Sequence, residues 1–156
     1  MSEDLVATAA RLLSENRYAV LATVDGSGAP WASPVWFAHR DLTTLVWVSY
    51  PEARHSQAIA AEPRLAVTVF DSSVEPGHGT AFYGRGRARR CPDAELAEHL
   101  AVFQAESERQ GIGEWGADRV TGAARLRLYV ATLDEVSLLL DDGGPDFRVP
   151  VDLDAS

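Results

Sequence analysis

The chain has 156 residues, 46% of them hydrophobic, which suits one domain with a core of its own. Its 14 basic residues are all arginine and stand against 23 acidic ones, a net charge of -9. So acidic a surface repels phosphate backbones and argues against nucleic-acid or anionic-membrane binding, and the lack of lysine excludes Schiff-base chemistry and a Walker-type phosphate loop.

In chain order, residues 3–15 are predicted helical, with Leu5, Val6, Ala9, Leu12 and Leu13 on one face. Residues 18–24 are apolar and β-branched and read as a strand. Asp25-Gly26-Ser27-Gly28 is a turn, and residues 31–38 return as the second strand of a hairpin. A polar break at His39-Arg40-Asp41 leads to a third strand, residues 43–50. Pro51 opens a short helix that runs to about Glu62 and is stopped by Pro63. Residues 64–71 form a fourth strand and residues 80–90 a fifth, in which Gly84 and Gly86 mark a bulge or a close backbone approach. Pro92 starts the longest helix, which ends near Gln110-Gly111 and buries Leu96, Leu100 and Phe103. Residues 125–133 make a sixth strand, Asp134-Glu135 a turn, and residues 136–140 a seventh. Residues 141–156 read as an acidic tail, loose or in contact with a partner. The whole is a single domain, residues 1–156, with its core at about 15–140. Strands joined mostly by hairpins, with three helices, predict a mainly β fold: an antiparallel barrel with flanking helices.

The segment from Leu45 to Arg64 concentrates anion-binding groups. A strand ends at Ser49, and a helix begins with Arg54, His55 and Ser56 in its first turns. Free amides at a helix start favour an anion, and the Arg54 guanidinium matches a phosphate bidentately. The alternative is a solvated helix with an ion pair to Glu52 or Glu62. Arg85, Arg87 and Arg89 share one face of the fifth strand and read as a solvent face, or as partners of acidic residues on a neighbouring strand. The four histidines, His39, His55, His78 and His99, lack metal-site spacing, so no metal is expected. Cys91 stands alone, which excludes an intrachain disulfide and a thiolate metal cluster; it reads as a structural thiol in a reducing, cytoplasmic setting. No signal peptide or membrane span is expected. Trp31, Trp36 and Trp47 fill the core or a dimer seam, or else wall a flat cofactor pocket.

The order of these motifs resembles the FMN-binding split-barrel family, the pyridoxamine 5'-phosphate oxidase-like group. The resemblance rests on Leu21-Ala22-Thr23-Val24-Asp25-Gly26, on Pro30 and Ser33-Pro34-Val35-Trp36-Phe37, and on Val48-Ser49. It continues in Ala53-Arg54-His55-Ser56-Gln57-Ala58-Ile59 and in Glu62-Pro63-Arg64-Leu65-Ala66-Val67. It implies a homodimer of six-stranded antiparallel split barrels with FMN at the subunit interface. Arg54 and His55, followed by Ser56 and Gln57, would hold the ribityl phosphate. The isoalloxazine ring would lie along Ser33, Pro34, Val35 and Trp36 and along Val48 and Ser49. A flavin-dependent oxidoreductase acting on a small molecule with a nicotinamide donor, NADH or NADPH, is the leading expectation; a non-catalytic flavin-binding or sensing module is the alternative. Relatives that bind a deazaflavin usually carry lysine in the phosphate stretch, which this chain lacks; others bind haem. No catalytic side chain stands out. The oxidase proper has a lysine near the end of the second strand and a basic C-terminal segment. Here the corresponding stretches are Ala38-His39-Arg40 and an acidic tail, so vitamin B6 is not the expected substrate.

Overall fold

The computed structural model describes residues 2–141, 145 and 148–155. Helix α1 (Ser2–Glu15) leads into a hairpin of β1 (Tyr18–Val24) and β2 (Pro30–Trp36). One residue, Phe37, separates β2 from the short β3 (Ala38–His39), which pairs with β4 (Thr44–Ser49). There follow α2 (Arg54–Ala61), β5 (Arg64–Phe70), β6 (Ala81–Arg90), α3 (Leu96–Arg109), β7 (Arg127–Leu139) and β8 (Arg148–Pro150). The sheet has eight strands rather than the six expected: six are long, and β3 and β8 are short additions.

Every strand pair is antiparallel, and the order is β2-β1-β5-β6-β7-β4-β3, with β8 against β7. The two ends of this path, β2 and β3, are one residue apart in the chain. The sheet must therefore curl until its edges approach each other. They approach without a ladder: β2 pairs only with β1, and β3 reaches only Leu45 and Val46 of β4. The product is a split barrel whose seam runs between β2 and the end of β4.

Alternation along the strands sorts side chains into two cores. Leu21, Val35, Leu45, Trp47, Val67, Phe82 and Leu138 point inward and meet Ala9, Leu12 and Leu13 of α1 and Ile59 of α2. Val46, Leu128 and Val130 point outward and are covered by Leu100 and Phe103 of α3. The outer face of β2, β1, β5 and β6 has no such cover. There Tyr18 and Phe70 remain 61% and 48% exposed.

Two expectations are corrected. Residues 127–139 are one strand, not two separated by a turn at Asp134-Glu135. The register with β6 shifts between Arg85 and Gly86, so that Arg85 faces Glu135 while Gly86 faces Leu133. Asp134 is absorbed as a bulge. Gly86 makes this possible, because a Cβ there would lie 2.0 Å from the Thr132 carbonyl oxygen. The second correction concerns the tail. Residues 142–144, 146, 147 and 156 lie outside the described residues, but β8 pairs with Ser137–Leu139 and Val151 is 6% exposed within the inner core. The cause is the length of β7. The six-residue β4 covers only residues 127–132 of it, and the far end needs another partner for its backbone groups. No helix among the described residues is long and apolar enough to cross a membrane.

Candidate functional site

The β2–β4 seam gathers the sequence candidates. Ser33, Pro34, Val35 and Trp36 lie on β2, Val48 and Ser49 at the end of β4, and Arg54, His55, Ser56 and Gln57 at the start of α2. Because β2 is an edge strand, alternate backbone groups along Ser33–Trp36 face away from β1 and into the seam. Val48 and Ser49 likewise have a ladder on one side only, to Leu128 and Arg127.

His55 closes the seam. Its Nδ1 lies 3.2 Å from Ser33 Oγ on β2, and its Nε2 lies 2.7 Å from Ser49 Oγ on β4. One ring nitrogen donates to a hydroxyl and the other accepts from one, so a neutral imidazole satisfies both serines. Burial pushes the imidazole pKa below its ordinary value of 6.5, which favours that neutral form. The side chain thus ties α2 to both strands that the sheet leaves unpaired.

Arg54 reaches Trp31, two residues before Ser33 on the same face of β2. Its guanidinium carbon sits 4.1 Å from the centroid of the exposed Trp31 ring, a cation–π contact. It also lies within electrostatic range of Asp25. The Asp25 carboxylate is held below the usual range chiefly by the Ser27 hydroxyl and by the Ala29 and Ser27 amides, with Arg54 adding a smaller effect. The helix start beside Arg54 is uncapped: Ala53 is extended and offers no side-chain hydrogen bond. The first amides of α2 are therefore open donors at the positive end of its dipole. On the opposite rim Tyr50 is 47% exposed, with the Arg125 guanidinium 5.1 Å from its ring centroid. No local pattern marks this pairing, because 75 residues separate the two.

The remaining candidates separate by strand parity. Val35 turns into the inner core. Trp36 turns outward, packs edge-on against Phe103 at 4.7 Å between ring centroids and donates its indole N–H to Gln110 Oε1 at 2.9 Å. Val48 packs into the same outer cluster. Pro34 and Gln57 are exposed, whereas Ser56 is 2% exposed on the flank of α2 away from Arg54. The three tryptophans therefore have three settings: Trp47 is fully buried in the core, Trp36 lies beneath α3, and Trp31 is at the surface. The second arginine cluster is largely paired. Arg85 bonds Glu135, and Arg89 bonds Glu95 through both guanidinium nitrogens. Arg64, Arg85 and Arg87 line a groove of about 520 Å³ on the uncovered outer face. The Cys91 thiol is buried, and burial raises its pKa, consistent with a structural thiol.

A curled antiparallel sheet with a seam, closed by a helix that starts in an Arg-His pair, defines a split-barrel protein. The chain belongs to the pyridoxamine 5'-phosphate oxidase family: residues 5–140 match that family's profile. Comparison with curated proteins returns no match. Among solved structures, a heme binding protein from Mycobacterium smegmatis is similar at 20% identity and a TM-score of 0.70. The match covers 93% of this chain and 57% of that one, so this chain spans little more than half of that protein. A FAD-binding protein from Mesorhizobium loti is similar at 21% identity and a TM-score of 0.64, covering 85% of this chain and 91% of that one. An F420 reductase is similar at 25% identity and a TM-score of 0.58, covering 81% and 94%.

Proposed function

We propose that this chain binds FMN along the β2–β4 seam and acts as a flavin-dependent oxidoreductase in a homodimer. The observation that carries the reading is the uncapped start of α2 with Arg54 beside it, at the end of the seam. Together they offer a phosphate both a guanidinium and open amides. The backbone edges of Ser33–Trp36 and of Val48 and Ser49 fit the polar rim of an isoalloxazine ring, and the exposed Trp31 and Tyr50 rings fit its flat faces. The flavin would supply hydride chemistry between a nicotinamide donor and a small conjugated or carbonyl acceptor, while the protein binds and orients it. Support for the homodimer comes from the uncovered outer face of β2, β1, β5 and β6. It exposes Val24, Ala32, Ala66 and Phe70 with no helix above them. A solution mass of one chain at micromolar concentration would sink the dimer. A cytoplasmic location is part of the same proposal, supported by the single, unpaired Cys91.

One observation favours a second reading, a flavin-binding or sensing module without turnover. His55, the titratable ring within the seam, has both nitrogens engaged by serines, and no other side chain there is placed to move a proton. The test is reduction of the flavin-loaded protein by NADH or NADPH under anaerobic conditions. Bleaching of the yellow colour followed by reoxidation with an acceptor supports the enzyme; persistent colour with every donor supports the module. The mass and absorbance of the co-purifying molecule separate FMN from a deazaflavin, and a Soret band would mark haem.

A further inference from the structure

We propose that the cavity on the Ser56 flank of α2 is a second binding site, for a small organic monocarboxylate. The cavity holds about 410 Å³, within the range of small-molecule sites, and lies between α2 and the β6–β7 ladder. Two hydroxyl-bearing side chains line it. Ser56 is 2% exposed and its buried Oγ has no hydrogen-bond partner among the described residues; Tyr129, 4% exposed, makes no hydrogen bond among them either. Buried polar groups in native proteins are nearly always satisfied, so the orphaned Ser56 hydroxyl, with the unbonded Tyr129 hydroxyl on the same cavity, points to an occupant that supplies the missing partner. The cavity is many times larger than the single water that would satisfy Ser56.

The charge of that occupant follows from the arginines. Arg89 is already held by both oxygens of Glu95, at 2.7 and 2.9 Å. Arg90 also lines the cavity and makes no ion pair or hydrogen bond among the described residues. It stands directly opposite Tyr129 in the β6–β7 register, so the two side chains leave the sheet on the same face. One free guanidinium and two hydroxyls match the single charge and the lone pairs of one carboxylate. A phosphate dianion fits less well, because a lone arginine leaves it half-neutralised in a chain of net charge -9. The walls are Pro51, Ile59 and Ala88, which suit an organic body of one or two rings. This site is separate from the proposed flavin seam, since Ser56 and Arg54 leave α2 on different sides and share no contact.

The experiment is a calorimetric titration of the full chain, flavin-free and flavin-loaded, with benzoate as probe and benzyl alcohol and inorganic phosphate as controls. Saturable binding of benzoate is expected, with benzyl alcohol and phosphate at least tenfold weaker. Arg90→Gln should weaken benzoate about tenfold, and Ser56→Ala and Tyr129→Phe severalfold each. Ala60 is exposed and lines the cavity, so Ala60→Phe should block it without touching the core. No saturable heat with benzoate would overturn the proposal. So would unchanged affinity in both Arg90→Gln and Ala60→Phe, or phosphate binding as tightly as benzoate. Arg90→Gln should leave flavin affinity unchanged, so this proposal and the flavin reading fail independently.

Discussion

The two flanks of α2 differ in what three consecutive residues do. Arg54 faces an exposed rim, where it lies over Trp31 and near Asp25 beside open helix amides. Ser56 faces a buried wall made by β6 and β7 and has no polar partner there. His55, between them, is spent on structure, as its two nitrogens join β2 to β4. Successive helical residues are turned about 100° from one another, so one uncapped turn can address a surface site, a seam and an interior cavity together. The lesson is that a motif read as one phosphate cradle divides, residue by residue, once the helix is placed on the barrel.

The sharpest way to break this comparison is to remove the wall on the Ser56 side. Gly86→Ala would put a Cβ 2.0 Å from a backbone oxygen that cannot move aside, and the bulge sets the register bringing Arg90 opposite Tyr129. A loss of about 3 kcal/mol or more is expected in urea unfolding. Gly84→Ala meets only the Leu133 side chain, which can rotate, and should cost about 1 kcal/mol. Equal costs would mean that the bulge is not held by Gly86.

Next in size is the seam itself. His55→Ala removes both serine contacts and should cost about 2 kcal/mol of stability, read by the same unfolding curves. Its pH dependence sharpens the point. Burial depresses the folded-state pKa below 6.5, so below 6.5 the unfolded chain binds more protons than the folded one. This contribution is present in full above 6.5 and is lost as the pH falls through the folded-state value. The midpoint of unfolding should therefore drop between pH 7 and pH 5 more steeply in the parent than in His55→Ala. Parallel pH profiles would show that the imidazole is not held neutral. The smallest expected effect is at Arg87, on the outer face of β6. Arg87→Ala should leave both stability and flavin affinity within error, and a loss of flavin binding there would move the phosphate to that face.

The barrel was legible because alternation along residues 18–24, 64–70 and 81–90 survives as inward and outward faces. Asp134-Glu135 misled because two acidic residues in sequence look like a turn, whereas a bulge opposite a glycine absorbs them without one. The tail misled because its acidic composition hid Val149 and Val151, which answer an edge of β7 that only the three-dimensional pairing leaves open. At the site, the sequence pointed to the start of α2, with Arg54 as its charged member. It could not mark Tyr129, Arg90 or Arg125, whose relation to α2 exists only through the β4–β7 and β6–β7 ladders. Alternation puts Trp36 and Val35 on opposite faces, but the sequence could not show that α3 makes a second core of the outer one.

The central claim is that Arg54, at the open start of α2, holds the phosphate of a flavin. The direct measurement is an FMN titration of the parent and of Arg54→Ala, with folding verified by circular dichroism. Losing one charge-assisted bond at a partly enclosed site should weaken FMN about 30-fold, while riboflavin, which lacks the phosphate, should bind both proteins alike. A folded Arg54→Ala protein that binds FMN as tightly as the parent would contradict the account.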